Sequence, residues 1–241
     1  MESKANITQS IRDFSKGRKY FSFYEVKNFI NEKYPTVPDN TIKTSLKRLK
    51  QSNEIFDAGR SYYSTIEKIF ELSDEPVGEL KNIISRKFPF LKFYLWSIDQ
   101  IKFSFHHLFS KNIYFVHAEK DALQTIGDYL RENKFFVFVD PTKRIEIEKY
   151  VSFDKNSVIL RPFYSKVRTK NNIPSIENIL VDLYLEGDRL NLIDGSEYDR
   201  ILEYFLSQFR LNISHFIRYA ENRKVEIQLK NKLEMYTNAA L

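Results

Sequence analysis

The stretch PDNTIKTSLKRLKQSNEIFDAGRSYY, from Pro38 to Tyr63, constrains the fold more than any other part of the chain. Ile42, Leu46 and Leu49 fall at i, i+4 and i+7, so a helix here gathers them on one face that must dock on other apolar surface. Pro35 and Pro38 break the chain just upstream, and Asp39 or Asn40 can cap the first turn. Lys43, Lys47 and Lys50 repeat the apolar spacing one position later, while Thr41, Thr44, Ser45 and Arg48 are assigned to the exposed side. Behind the helix, Ile55–Phe56 and Tyr62–Tyr63 read as strands, with Asp57 to Arg60 supplying the tight turn of a hairpin.

The residues upstream complete the pattern. Ile7, Ile11 and Phe14 predict a first helix over Asn6 to Lys16, with Gly17 as its stop. Phe21 to Phe23 alternates as a short strand, and Val26, Phe29 and Ile30 predict a second helix over Tyr24 to Lys33. Helix, short strand, helix, turn, basic helix and hairpin in about 65 residues is the order of a winged helix-turn-helix. Lys43 and Lys47 then reach phosphates, Asn40, Thr41 and Thr44 approach base edges in a major groove about 12 Å wide, and Arg48 either reads guanine or clamps a phosphate. Arg60 sits on the hairpin as a wing residue. This segment resembles winged-helix transcription regulators.

Charge singles out the same region. The chain carries a net +6, and residues 1–65 hold 12 Lys+Arg against 7 Asp+Glu, a surplus of five. The excess implies a polyanionic partner for the first quarter of the chain and a different task for the rest. The absence of cysteine excludes disulfides, cysteine-ligated zinc and a cysteine nucleophile. No secretory leader and no apolar run long enough for a bilayer are seen, so a soluble, cytoplasmic protein without membrane association is expected.

Beyond residue 70 the reading changes. Leu72 to Glu79 is polar and carries Pro76 and Gly78, which marks a boundary between a domain over 1–70 and one over 71–241. Helices are expected over Leu80–Phe88, Asp121–Asn133 and Ser175–Glu186, and one long helix over Tyr198–Lys224. Strands are expected over Phe93–Ser97, Asn112–Ala118 and Lys134–Asp140. The strand–helix–strand run makes the second domain mixed α/β and the whole chain α+β.

No catalytic constellation stands out. His106, His107, His117 and His215 lack metal-ligand spacing, and no glycine-rich phosphate loop is present. Asp194 to Asp199 carries a Gly-Ser pair without the Asp-x-Asp that nucleotidyl transfer requires, and reads as a turn entering the last helix. No metal, no cofactor and no enzymatic activity are therefore expected. Two alternatives stay open: a nuclease with a winged-helix targeting domain and a metal site at Glu146 and Glu148, and a protein-interaction adaptor that ignores DNA. Arg161, Lys166, Arg168 and Lys170 form either a second basic strip or a solvated loop.

Tyr94-Leu-Trp-Ser97, the run from Phe103 to Glu132, and SIENILVDLYLE over Ser175 to Glu186, behind the winged helix, resemble the AbiEi-type antitoxins of bacterial type IV toxin–antitoxin systems. The resemblance implies that the winged helix represses its own operon through double-stranded promoter DNA. It implies too that the second domain opposes a co-encoded nucleotidyltransferase toxin. In the Ser175–Glu186 helix, Ile176, Ile179, Leu180 and Leu183 are expected to face the core.

Overall fold

The computed structural model describes residues 4–105, 112–141, 156–164 and 167–237. The fold is α+β, a winged helix-turn-helix followed by a larger mixed α/β domain. Contacts partition the chain differently from a linear division at residue 70. One compact unit runs up to Phe70 and takes up the chain again from Leu202, and the other is Glu71–Ile201.

The first unit opens with α1 (Lys4–Ser15), β1 (Tyr20–Ser22), α2 (Phe23–Lys33) and α3 (Asp39–Gln51). Ser22 starts α2 through a reciprocal cap. Its hydroxyl accepts from the Glu25 N–H at 3.2 Å, and Glu25 Oε2 accepts from the Ser22 N–H at 2.7 Å. The expected Asp39 or Asn40 cap on α3 does not form. Pro38 occupies that position, its carbonyl accepts from the Thr41 N–H, and Asp39 pairs with Lys27 at 3.1 Å instead. Ile7, Ile11, Val26, Ile30, Ile42, Leu46 and Leu49 close a core with Phe21 and Ile55.

The wing is β2 (Phe56–Asp57) and β3 (Tyr62–Ser64), joined to β1 in the order β1-β3-β2. Successive strand residues face opposite sides. Phe21, Tyr63 and Asp57 share one face by register, and Phe21 stacks on Tyr63 toward the helical core. Tyr20, Ser64 and Phe56 share the other. That second face is covered by the end of the chain, which explains why Tyr20 and Phe21 are both buried although they point opposite ways.

The covering segment corrects the expected single helix over Tyr198–Lys224. Two helices occupy that span, α7 (Gly195–Gln208) and α8 (Ile213–Asn222), and a further one, α9 (Glu226–Thr237), follows it. At the break at 209–212 the Phe209 N–H still closes onto the Phe205 carbonyl, but N–H groups after it turn to residues of the first 70. The Arg210 N–H donates to the Lys68 carbonyl at 2.7 Å, the Leu211 N–H to the Tyr20 hydroxyl at 2.9 Å, and the Ile213 N–H to the Ala58 carbonyl at 2.7 Å. The Tyr20 hydroxyl in turn donates to the Phe209 carbonyl. Asn212 then caps α8 by accepting from the His215 N–H at 2.9 Å. His215 itself is buried.

The second unit starts with α4 (Glu75–Lys87), which begins inside the expected linker with Pro76 in its first turn, where a missing N–H costs nothing. A four-stranded sheet follows in the order β4-β5-β7-β6, from β4 (Phe93–Ser97), β5 (Ile113–Ala118), β6 (Phe136–Val139) and β7 (Ser157–Pro162). β4 is antiparallel to β5, while β5, β7 and β6 are parallel. Helix α5 (Leu123–Glu132) connects β5 to β6 and, with α4, buries Leu95, Val116, Val158 and Leu160 on one face of the sheet. A small hairpin, β8 (Thr169–Lys170) and β9 (Ile173–Pro174), turns at Asn171 and Asn172, both at positive φ.

The opposite face carries Tyr94, His117 and Arg161 side by side in register, and α6 (Ile176–Arg189) supplies their partners. His117 stacks on Tyr94 and lies 3.6 Å from Asp182; Arg161 meets Glu186 at 2.5 Å and Asp140 at 3.1 Å. Helix α6 is thus buried on its polar side as well as on its apolar one, with Asn178, Asp182 and Glu186 all at 0% exposure. Arg161 is not part of a basic surface strip. Arg168 and Lys170 are exposed, and Lys166 lies outside the described residues. His106, His107, Glu146 and Glu148 lie outside them too.

Candidate nucleic-acid interface

Helix α3 turns by about 100° per residue. On that wheel Asn40, Thr41, Lys43, Thr44, Lys47 and Arg48 fall within an arc of about 160°, opposite Ile42, Leu46 and Leu49. Five of the six are exposed and Thr41 is half-buried. The residues at the two margins of the arc behave differently. Ser45, assigned to the exposed side by spacing, is buried and its hydroxyl accepts from the Thr8 hydroxyl of α1 at 3.0 Å. Lys50 turns to the wing, where its ammonium lies 2.8 Å from Asp57. Position on the wheel thus decides which polar side chains remain available and which are drawn into packing.

Asn40, Thr41, Thr44, Ser45 and Arg48 line one open concavity of about 200 Å³ along the first three turns of the helix. The Thr44 hydroxyl donates to the Asn40 carbonyl at 2.7 Å. Lys43 and Lys47 project beside this concavity, and the Lys43 ammonium lies 5.4 Å over the Phe23 ring. The carboxylates that flank the helix are each engaged. Asp39 pairs with Lys27, Asp57 with Lys50, and Glu54 with Arg12. The Glu54 carboxyl is lowered to about 2, first by its hydrogen bond from Arg12 and then by one from the Ser52 hydroxyl. Lys43, Lys47 and Arg48 have no carboxylate partner among the described residues. A local positive field follows, because the nearby negative charges are already compensated.

Arg60 is exposed on the wing, at a distance in sequence from α3 but tied to it through β2 and the Lys50–Asp57 pair. Its backbone is not free. The Arg60 N–H donates to the Ser214 hydroxyl at 2.9 Å, and the Arg210 guanidinium lies 4.7 Å over Phe56 on the covered face of the wing. The sequence-predicted contacts therefore divide into a cluster on α3 and a separate wing residue. Thr8 and the corner at Phe209–Ser214 are positioning parts that spacing did not reveal. Asn212 ahead of Ile213 and Phe216 is the helix-start signal that could have located the corner.

Among the described residues no helix is long and apolar enough to cross a membrane. A search of curated proteins found no match to this chain. The model of a family of unknown function, DUF6577, matches residues 41–239, from the first turns of α3 to the end of α9, and the chain belongs to that family.

Proposed function

We propose that this protein is a cytoplasmic, non-enzymatic DNA-binding transcriptional autoregulator that acts on double-stranded DNA of its own promoter. One observation carries the reading. Lys43, Lys47 and Arg48 stand in water on the outer arc of the second helix of a helix-turn-helix, while Asp39, Glu54 and Asp57 are paired with other cations. Cations so placed release counterions from a phosphate backbone, and the concavity beside them can receive base edges. The likeness to AbiEi-type antitoxins extends the proposal: the protein also opposes a nucleotidyltransferase toxin encoded alongside it.

The test is the double variant Lys43→Glu with Lys47→Glu, read by gel shift on the protein's own upstream DNA. Loss of the shift with unchanged circular dichroism is the expected result. Wild-type affinity should fall with salt at a slope of about 0.9 per phosphate contact. An unaltered shift in the variant removes this face from the reading. Co-expression with the neighbouring reading frame tests the second part. Growth rescue by wild type and the variant alike assigns antitoxicity elsewhere than α3, and failure of wild type to rescue rejects it.

A further inference from the structure

The concavity on α3 contains more hydrogen-bonding groups than are available to a ligand. Thr44 has one hydroxyl proton, and it is given to the Asn40 carbonyl. Ser45 is buried and receives the proton of Thr8. Among the described residues, the side chains of Asn40, Thr41 and Arg48 make no hydrogen bond, and all three line the same opening. Thr44 can still accept from a partner, but the side chains of this opening that can donate to one shrink from five residues to three.

Two of the three carry planar, two-pronged chemistry. The Asn40 amide offers one acceptor beside one donor, which complements the N6–H and N7 edge of adenine. The Arg48 guanidinium offers two parallel donors, which complement the O6 and N7 edge of guanine. They are eight residues apart on one helix face. At 1.5 Å per residue the separation is about 12 Å along the axis, and at about 3.4 Å per base pair it spans three to four base pairs. Lys43 and Lys47 flank this line on the side away from Thr41, where a phosphate strand would run.

We infer that α3 reads a double-stranded site holding an adenine and a guanine three to four base pairs apart, through Asn40 and Arg48 respectively. The inference rests on the DNA-binding reading above and specifies what that face recognises. Thr41, beside this line on the helix surface, offers one hydroxyl that can either donate or accept, and so adds little discrimination of its own.

The experiment is selection of sites from a randomised double-stranded pool by the full chain, repeated with Arg48→Lys and with Asn40→Ala. Arg48→Lys keeps the charge and removes the fork. Its expected effect is a loss of the guanine preference alone, by about 5- to 150-fold, with the adenine preference intact. Asn40→Ala should lose the adenine preference alone. Both side chains are exposed, so unchanged melting temperatures check that each variant is folded. If wild type selects a defined site and both variants select that same site, DNA binding stands and this inference is wrong. It is equally wrong if the selected adenine and guanine are adjacent or a full helical turn apart. If wild type retains no DNA from the pool, both readings fall together.

Discussion

On α3, Lys43, Lys47 and Arg48 face water without a carboxylate partner among the described residues; on β7, Arg161 is 1% exposed and held by Glu186, by Asp140 and by the Pro141 carbonyl at 2.8 Å. Both lie in stretches that read as basic in the sequence. The difference comes from what each element packs against. Helix α3 meets α1 and α2 through a mainly aliphatic core with the Thr8–Ser45 and Lys27–Asp39 contacts at its edges, and Glu54 and Asp57 are taken by other cations. Strand β7 faces α6, whose Asp182 and Glu186 point back at the sheet one turn apart. A basic residue becomes a surface cation or a core ion according to whether the opposing element brings carboxylates with it.

The comparison breaks most visibly at Arg161. Arg161→Ala leaves Glu186 buried without its main cation, and the expected cost is about 3–5 kcal/mol in urea denaturation. Lys47→Ala, on the exposed arc, should change stability by about 0.5 kcal/mol or less. Replacing the pair together, Arg161→Met with Glu186→Leu, should recover most of the loss, because the buried carboxylate is then absent. Equal costs for Arg161→Ala and Lys47→Ala would mean that the two environments do not differ in the way described.

How far these environments could be read beforehand depends on the range of the interactions. The α1, α2 and α3 helices and the wing were legible, since Ile42, Leu46, Leu49 and the turn at Gly59 are local signals in one short segment. The six outer residues of α3 follow from the same wheel. Ser45 and Lys50 did not, because Thr8 and Asp57 capture them from elements the wheel cannot represent. Helix α6 was legible only on its apolar side. Asn178, Asp182 and Glu186 have the spacing of a solvent-facing stripe, and their burial depends on strands far away in sequence. The break at 209–212 was hidden for the same reason. Phe205, Phe209 and Phe216 preserve helical apolar spacing across it, while the N–H groups that interrupt the helix are bonded to residues more than 100 positions earlier.

The wing offers a sharper version of the same contrast within a few residues. The Arg60 side chain is exposed, yet the backbone beside it is pressed against the α7–α8 corner. Gly59 has φ +109°, and a Cβ there would lie 2.3 Å from Ser214 Oγ and 2.6 Å from Asn212 Oδ1. Gly59→Ala is expected to cost about 1–3 kcal/mol by combining backbone strain with overpacking. Gly17 is the control, since its φ is +76° but nothing lies within 4 Å of an added Cβ. Gly17→Ala meets strain alone and should cost less than Gly59→Ala in the same urea measurement. Equal values would show that the corner does not press on the wing.

The smallest effect concerns the carboxylates that keep the α3 cations uncompensated. Glu54 is held at about 2, against an ordinary value of 4.5, because its anion accepts from Arg12 and from Ser52. A carboxyl whose folded value lies below its unfolded one contributes stability above the unfolded value and loses it as pH falls through the folded one. The contribution of Glu54 is therefore complete above about 4.5 and disappears on acidification towards about 2. The side chain is one-third exposed, so water screens the pair and the effect is slight. Glu54→Gln should be a little less stable than wild type at neutral pH, and the two unfolding curves should converge between those limits. A difference that persists unchanged below about 2 would mean that Glu54 contributes by packing, and that Arg12 is not the cation that neutralises it beside α3.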